Sequence, residues 1–399
     1  MRSLRSLVPV LFAGALLAAP VLSAKFRDDF DAATITRDPA GLADWDFFTG
    51  DGAATVDLRP RDGVAELRVD ATRDRRGIWW ALIKRDITAT LDLAQLAQPG
   101  TELRVEARVR TTSPCKRVNL HVNTRRTTDF HGNLLEFDLP EAGVWYTISM
   151  TTRDFDARPG DRVYAQLALM DWGLGCYGVD LDHYQVEVVD AAQTPPDLGG
   201  GVPYHPAQPK PESFAQRLAV AQAATIDRAE PDANLADWSV VEPEGATTRG
   251  LVAVNGTLCT LLRWDFAAWA GRAPAPGPAL LALTTQSVQR RAERTKDFGM
   301  VRVVEILAGD PQWDGRTVTS DSLRQGRPYE EVFNTQMIID TELADRPGAC
   351  TYVTLSEAVM GRLLSGRTKG IVILPLGSIS ATFVGAAGAA APTLLFNVQ

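Results

Sequence analysis

The segment Leu103-Arg104-Val105-Glu106-Ala107-Arg108-Val109-Arg110 alternates apolar and charged residues without a break. Successive side chains on a strand point to opposite faces, so this run can bury one side only as a β-strand. Val118-Asn119-Leu120-His121-Val122-Asn123 repeats the pattern. Further strands are predicted at 64–69, 78–83, 134–139, 144–150, 163–169 and 183–189. Pro-Gly at 99–100 and 159–160 and Asp-Gly at 62–63 supply turns between them. Short strands at such spacing define a β-sandwich. Residues 91–98 (LDLAQLAQ) read as a single helical turn.

At 399 residues the chain is too long for one such unit. Residues 191–212 hold six Pro and a Gly triplet, a composition that stays extended. The expected organisation is a signal peptide at 1–24, a jelly-roll domain at 25–190, a linker at 191–212 and a second β-sandwich at 213–399. In the second half a short helix is expected at 213–224. Strands are expected at 257–263, 279–284, 300–306, 335–340, 371–374, 380–384 and 393–398. One longer helix follows Ser356, which can cap it, with Val359, Met360, Leu363 and Leu364 on one face and Gly366 and Gly370 beyond. The fold class is therefore all-β, two sandwiches joined by a Pro/Gly-rich linker.

Arg2 and Arg5 precede an apolar run at 7–22 that ends in Ser23 and Ala24. The run is short for a bilayer span and interrupted by Pro9, Gly14 and Pro20, which reads as a secretory signal rather than an anchor. A secreted or periplasmic protein without a membrane span is expected. Export makes Cys115, Cys176, Cys259 and Cys350 disulfide candidates, with pairing inside each half the simplest arrangement. The net charge of −8 opposes a nucleic-acid partner, whose phosphates need a basic face.

Several motifs resemble known families. Ala224-Thr225-Ile226-Asp227, Leu261-Leu262-Arg263-Trp264-Asp265-Phe266, the segment from Val353-Thr354 to Gly370, and Pro392-Thr393-Leu394-Leu395 resemble, in order, DNRLRE-type and alginate-binding β-sandwich modules. Asp92-Leu93 before Pro99-Gly100-Thr101, Val144-Trp145-Tyr146-Thr147 and Val179-Asp180-Leu181-Asp182 resemble elements of jelly-roll carbohydrate-binding modules. These resemblances imply polysaccharide binding, with no cofactor required. They also imply a structural calcium near the closing strand, for which Asp182 with Asp29 or Asp28 are the carboxylate candidates.

Alternation assigns the side chains. Val118, Leu120 and Val122 point to the core and leave Asn119, His121 and Asn123 outside; Leu135, Phe137 and Leu139 leave Glu136; Val163, Ala165, Leu167 and Leu169 leave Tyr164 and Gln166. Amides and carboxylates that grip vicinal hydroxyls, with a ring such as Trp79 to stack on a sugar, make a glycan groove of that face. Arg104 joins the set through its strand. A rival reading is enzymatic. Arg104-x-Glu106-x-Arg108, Asn119-x-His121 and Tyr164-x-Gln166 resemble motifs of jelly-roll alginate lyases. Arg108 or Arg110, with Asn119, would then neutralise a uronate carboxylate, His121 would take the C5 proton and Tyr164 would protonate the leaving oxygen. A non-catalytic matrix protein is the third reading. Association with other secreted polysaccharide-degrading proteins is compatible with the first two.

Overall fold

The computed structural model describes residues 25–32, 35–36, 44–49, 54–73, 80–112, 116–126, 133–139, 141–170, 176–194, 209–236, 239–241, 247–290, 299–334 and 339–399. The expected signal peptide, most of the expected linker, Trp79 and Cys115 lie outside the described residues.

The first half consists of β1 (Lys25–Asp28), β2 (Ile35–Thr36), β3 (Trp45–Thr49), β4 (Thr55–Arg61), β5 (Val64–Asp70), β6 (Trp80–Asp86), β7 (Thr101–Thr111), β8 (Lys116–Thr124), β9 (Leu134–Leu139), β10 (Tyr146–Thr151), β11 (Val163–Met170) and β12 (Cys176–Asp190). One sheet runs β10-β7-β12-β5-β4, with β1 also paired to β12. The opposing sheet runs β2-β3-β6-β11-β8-β9. Leu103, Val105, Ala107 and Val109 of β7 and Val118, Leu120 and Val122 of β8 are fully buried in one core between the sheets. The alternation in each strand thus serves the same purpose from opposite sides.

Trp45 is the centre of that core. It stacks on Phe30 at 5.5 Å and meets Tyr184 edge-on at 5.6 Å, while its Nε1 donates to Asp28 at 2.9 Å. Truncating such a residue to Ala costs about 3–5 kcal/mol. Tyr184, from the first sheet, donates its hydroxyl to the Gln166 carbonyl of the opposing sheet at 2.9 Å. Burial pushes that phenol well above its ordinary pKa, so it remains a donor. Leu135, expected in the core, is 37% exposed because β9 is the edge strand there. The predicted single turn is present at Leu93–Leu96, with Asp92 accepting from the Ala94 and Gln95 amides.

The second half begins with β13 (Gln216–Ala219) and β14 (Gln222–Asp227), where a helix was expected. Both segments are held in ladders, β13 against β25 (Thr393–Phe396) and β14 against β18 (Leu258–Arg263), and Ala224 and Ile226 are buried by that pairing. The remaining strands are β15 (Ser239–Val241), β16 (Thr247–Arg249), β17 (Leu251–Asn255), β19 (Ala279–Arg290), β20 (Met300–Glu305), β21 (Asp340–Thr341), β22 (Cys350–Leu355), β23 (Ile371–Leu376) and β24 (Ile379–Val384). Their main path is β13-β25-β19-β24-β17-β18-β23-β20-β21, with β14 beside β18 and β22 beside β19. The chain is therefore all-β in both halves. The capped helix appears at Glu357–Leu364, with Ser356 accepting from the Val359 amide at 3.3 Å. From it Arg362 reaches a completely buried Glu305 through two parallel bonds of 2.8 and 2.9 Å.

The disulfide expectation fails in the second half. Cys259 and Cys350 are both free. Cys259 is buried on β18, opposite Ile226 of β14, whereas Cys350 is exposed on β22, which pairs with β19. Among the described residues no ladder brings β18 and β22 together. In the first half Cys176 is also free and exposed.

Candidate functional site

Strand pairing collects six of the sugar-groove residues on the outer face of the second sheet. Gln166 of β11 lies between Lys84 of β6 and His121 of β8, Ala168 lies between Leu82 and Asn119, and Tyr164 lies between Asp86 and Asn123. Glu136 follows Asn119 on β9. The face is nevertheless closed. Asn119, Asn123, Tyr164 and Gln166 are each less than 9% exposed, and His121 is half-buried. Gln166 donates to Asn123, and the Lys84 ammonium sits 4.9 Å from the Tyr164 ring centroid. Ala168 and Leu82 pack into the hydrophobic core of the second half. Arg117 pairs with Glu136 at 3.2 Å and donates to the Thr354 carbonyl at 3.0 Å. This face is where the second half docks.

Arg104 and Arg108 lie elsewhere. They belong to β7, in the first sheet, and face away from β8 and β11. The expected lyase set is therefore divided, with His121 and Tyr164 on one side of the sandwich and Arg108 on the other. The two motifs are close in sequence because the chain crosses between sheets from β7 to β8. Arg104 itself is 2% exposed and donates to Thr151 at 3.1 Å and to Ser149.

The outer face of the first sheet carries a denser arrangement. Asp180 of β12 lies between Arg110 of β7 and Glu66 of β5. Its carboxylate accepts Arg68 Nη2 at 2.8 Å and Arg110 Nε and Nη2 at 3.0 and 2.7 Å. One strand over, the half-buried Trp145 ring has the Arg110 guanidinium 4.6 Å and the Arg108 guanidinium 5.2 Å from its centroid. Both arginines remain partly open, with side chains 36% and 43% exposed.

A register shift between Leu181 and His183 puts an extra residue into β12 opposite β7. Such a bulge lets two consecutive residues share a face. His183 therefore sits with Asp182, its Nδ1 3.0 Å from Asp182 Oδ2 and its Nε2 3.2 Å from Glu106 Oε1. The Glu106 contact, then the Asp182 contact, raises the imidazole pKa above its ordinary value against the cost of burial. The same His183 bond holds Glu106 below the usual carboxylate range. Arg108 reaches Asp182 only at 3.5 Å.

The calcium candidates are each engaged by cationic groups. Asp29 accepts Arg27 Nε at 2.8 Å, and Asp182 is occupied by His183 and Arg108. Among the described residues no cluster of three or more acidic, His or Cys side chains is placed to hold a metal. No described helix is long and apolar enough to cross a membrane.

No family model matches the chain. No curated protein matches it either. Among solved structures, the CBM22-1 xylan-binding domain from Paenibacillus barcinonensis is 15% identical with a TM-score of 0.25, over 42% of this chain and 94% of that one. The family 11 carbohydrate-binding module of a Clostridium thermocellum cellulosomal cellulase is 12% identical with a TM-score of 0.24, over 37% and 90%. A family 61 module bound to β-1,4-galactotriose is 14% identical with a TM-score of 0.24, over 37% and 90%.

Proposed function

We propose that this protein is exported and binds an extracellular polysaccharide bearing carboxylate groups, through the outer face of the first sheet. The observation that carries the reading is Trp145 set against Arg108 and Arg110. An aromatic ring stacks on the apolar face of a sugar, and a guanidinium grips a carboxylate with paired bonds. Uronic acid units present both features. Arg108 is the more available cation, since its contact to Asp182 is long and leaves most of its N–H donors open. The basic-then-apolar run at 2–24 supports export.

Non-catalytic binding is favoured over β-elimination because the arginine candidates, Arg108 and Arg110, are on the opposite face of the sandwich from the base and acid candidates, His121 and Tyr164, whose own face is covered. Retardation in native gels cast with a uronate-rich polymer, a neutral polymer or none tests the reading. Retardation by the uronate polymer, weakened by added salt, supports it. Equal mobility in every gel overturns it and leaves a structural role.

A further inference from the structure

The face that carries Trp145 continues across β12 and β5 to a second feature. A cleft of about 430 Å³ opens there, lined by Thr55, Asp57, Arg68, Asp70, Cys176 and Gly178 among others. That volume is within the range of small-ligand sites, about 300–1,000 Å³. Ladder positions build it: Thr55, Asp70 and Cys176 form one row, and Asp57, Arg68 and Gly178 form the next. The side chains of these rows point outward, while Val56, Val69 and Tyr177 between them belong to the core and also line the cleft.

Gly178 shapes the floor. A Cβ at that position would lie 2.6 Å from Arg68 Nη1 and 2.7 Å from its Cδ, so only glycine lets Arg68 lie across β12. Arg68 then donates to the Leu67 carbonyl at 3.2 Å and to Asp180 at 2.8 Å. Asp180 also holds Arg110, so the cleft and the Trp145 patch share one carboxylate. They are two ends of a continuous surface.

The charges at the two ends differ. Arg108 and Arg110 flank Trp145. At the cleft, Arg68 is already taken by Asp180 and, at 3.5 Å, by Glu66. Asp57 and Asp70 stand at its border; Asp57 is paired with the exposed Arg59 at 2.5 Å, whereas the Thr72 hydroxyl and amide hold the Asp70 carboxyl below its ordinary pKa. Ionised carboxylates accept hydrogen bonds from hydroxyls and repel other carboxylates.

We propose that the cleft is a subsite for an uncharged sugar ring, on the same glycan whose carboxylated ring sits at Trp145. This proposal rests on the function proposed above and narrows it. The preferred ligand mixes neutral and uronate units, and a homopolymer of uronates is disfavoured because a second carboxylate would meet Asp70 and would compete with Asp57 for Arg59.

Calorimetric titration of the full chain tests this with four probes: a hyaluronan hexasaccharide, a glucuronoxylan oligosaccharide, an oligogalacturonide of similar length and xylohexaose. At least one of the two mixed probes should bind about tenfold more tightly than the oligogalacturonide, a gap of about 1.4 kcal/mol. Replacing both acids (Asp57→Asn with Asp70→Asn) should close that gap by raising oligogalacturonide affinity, while Trp145→Ala should weaken every charged probe. If the oligogalacturonide already equals both mixed probes, or the double replacement leaves the ratio unchanged, the cleft is not a subsite. In that event a loss caused by Trp145→Ala still sustains the carbohydrate reading. If no probe binds the wild-type chain, both fall.

Discussion

The Arg110 guanidinium lies 4.6 Å from the centroid of the Trp145 ring and at the same time closes two nitrogens on Asp180. A charge-assisted bond orients the cation, and the aromatic ring covers it. Asp180 is thus a positioning residue for the whole face. Asp180→Asn removes the anion shared by Arg68 and Arg110. It should lower stability by about 1.5–3 kcal/mol, the usual worth of hydrogen bonds to a charged group. Urea titration measures this, and an unchanged midpoint would show that the two arginines do not depend on Asp180.

A second expectation concerns pH. His183 has a raised folded pKa, chiefly through Glu106 and then Asp182, and Glu106 has a lowered one, chiefly through His183. A raised histidine adds stability that is complete below its unfolded value, near 6.5, and fades as pH rises through the folded value. A lowered glutamate adds stability that is complete above its unfolded value, near 4.5, and fades as pH falls through the folded value. The pair contributes fully between those two points. Melting temperature should therefore decline from pH 6 toward pH 9, within roughly the range set by histidine titration, and His183→Gln should flatten that decline. Parallel curves for the two proteins would remove His183 from the account.

The buried pair in the second half provides a third test. Glu305 is completely buried and Arg362 nearly so. Arg362→Leu leaves buried Glu305 without its partner and should cost about 3–5 kcal/mol, whereas replacing both residues with apolar ones of similar size should recover most of the loss. Chemical denaturation of the single and double variants distinguishes these outcomes. A single variant within 1 kcal/mol (roughly the worth of an exposed pair) would mean the bond is solvated.

The cysteines give a fourth. Burial pushes the Cys259 thiol up to about 11, and the residue is enclosed in the core. In a Cys115→Ser background at pH 8, a thiol reagent should modify Cys176 and Cys350 in the native protein and Cys259 only after unfolding. Non-reducing mass mapping that finds Cys259 joined to Cys350 would contradict the arrangement of β18 and β22.

The strand pattern is legible because a period of two belongs to β-strands and not to helices. It places Asn119, His121, Asn123, Glu136, Tyr164 and Gln166 on one face, where the ladders also put them. Alternation says nothing about which sheet a strand joins, so β7 and β8, neighbours in sequence, read as neighbours in space. It also cannot tell a solvated face from one that another unit covers, and Ala168 and Leu82 are the apolar hints of that cover. Residues 213–224 read as a short helix because their Ala, Gln and Leu favour one locally; the ladders of 216–219 with β25 and of 222–227 with β18 override that preference. Trp145 is readable by parity, since Tyr146 beside it points inward. The bulge at Leu181 and His183 is not, because an inserted residue breaks the parity that such a reading depends on.

The central claim stands on Trp145. Calorimetric titration with a uronate-containing oligosaccharide, comparing the wild-type chain with Trp145→Ala, addresses it most directly. Loss of the ring and of its contacts to Arg108 and Arg110 should weaken binding about tenfold or more, consistent with about 1–2 kcal/mol for a stacked, cation-backed aromatic, with no change in melting temperature beyond a few degrees. Undiminished affinity in the variant would place the ligand elsewhere and contradict the account.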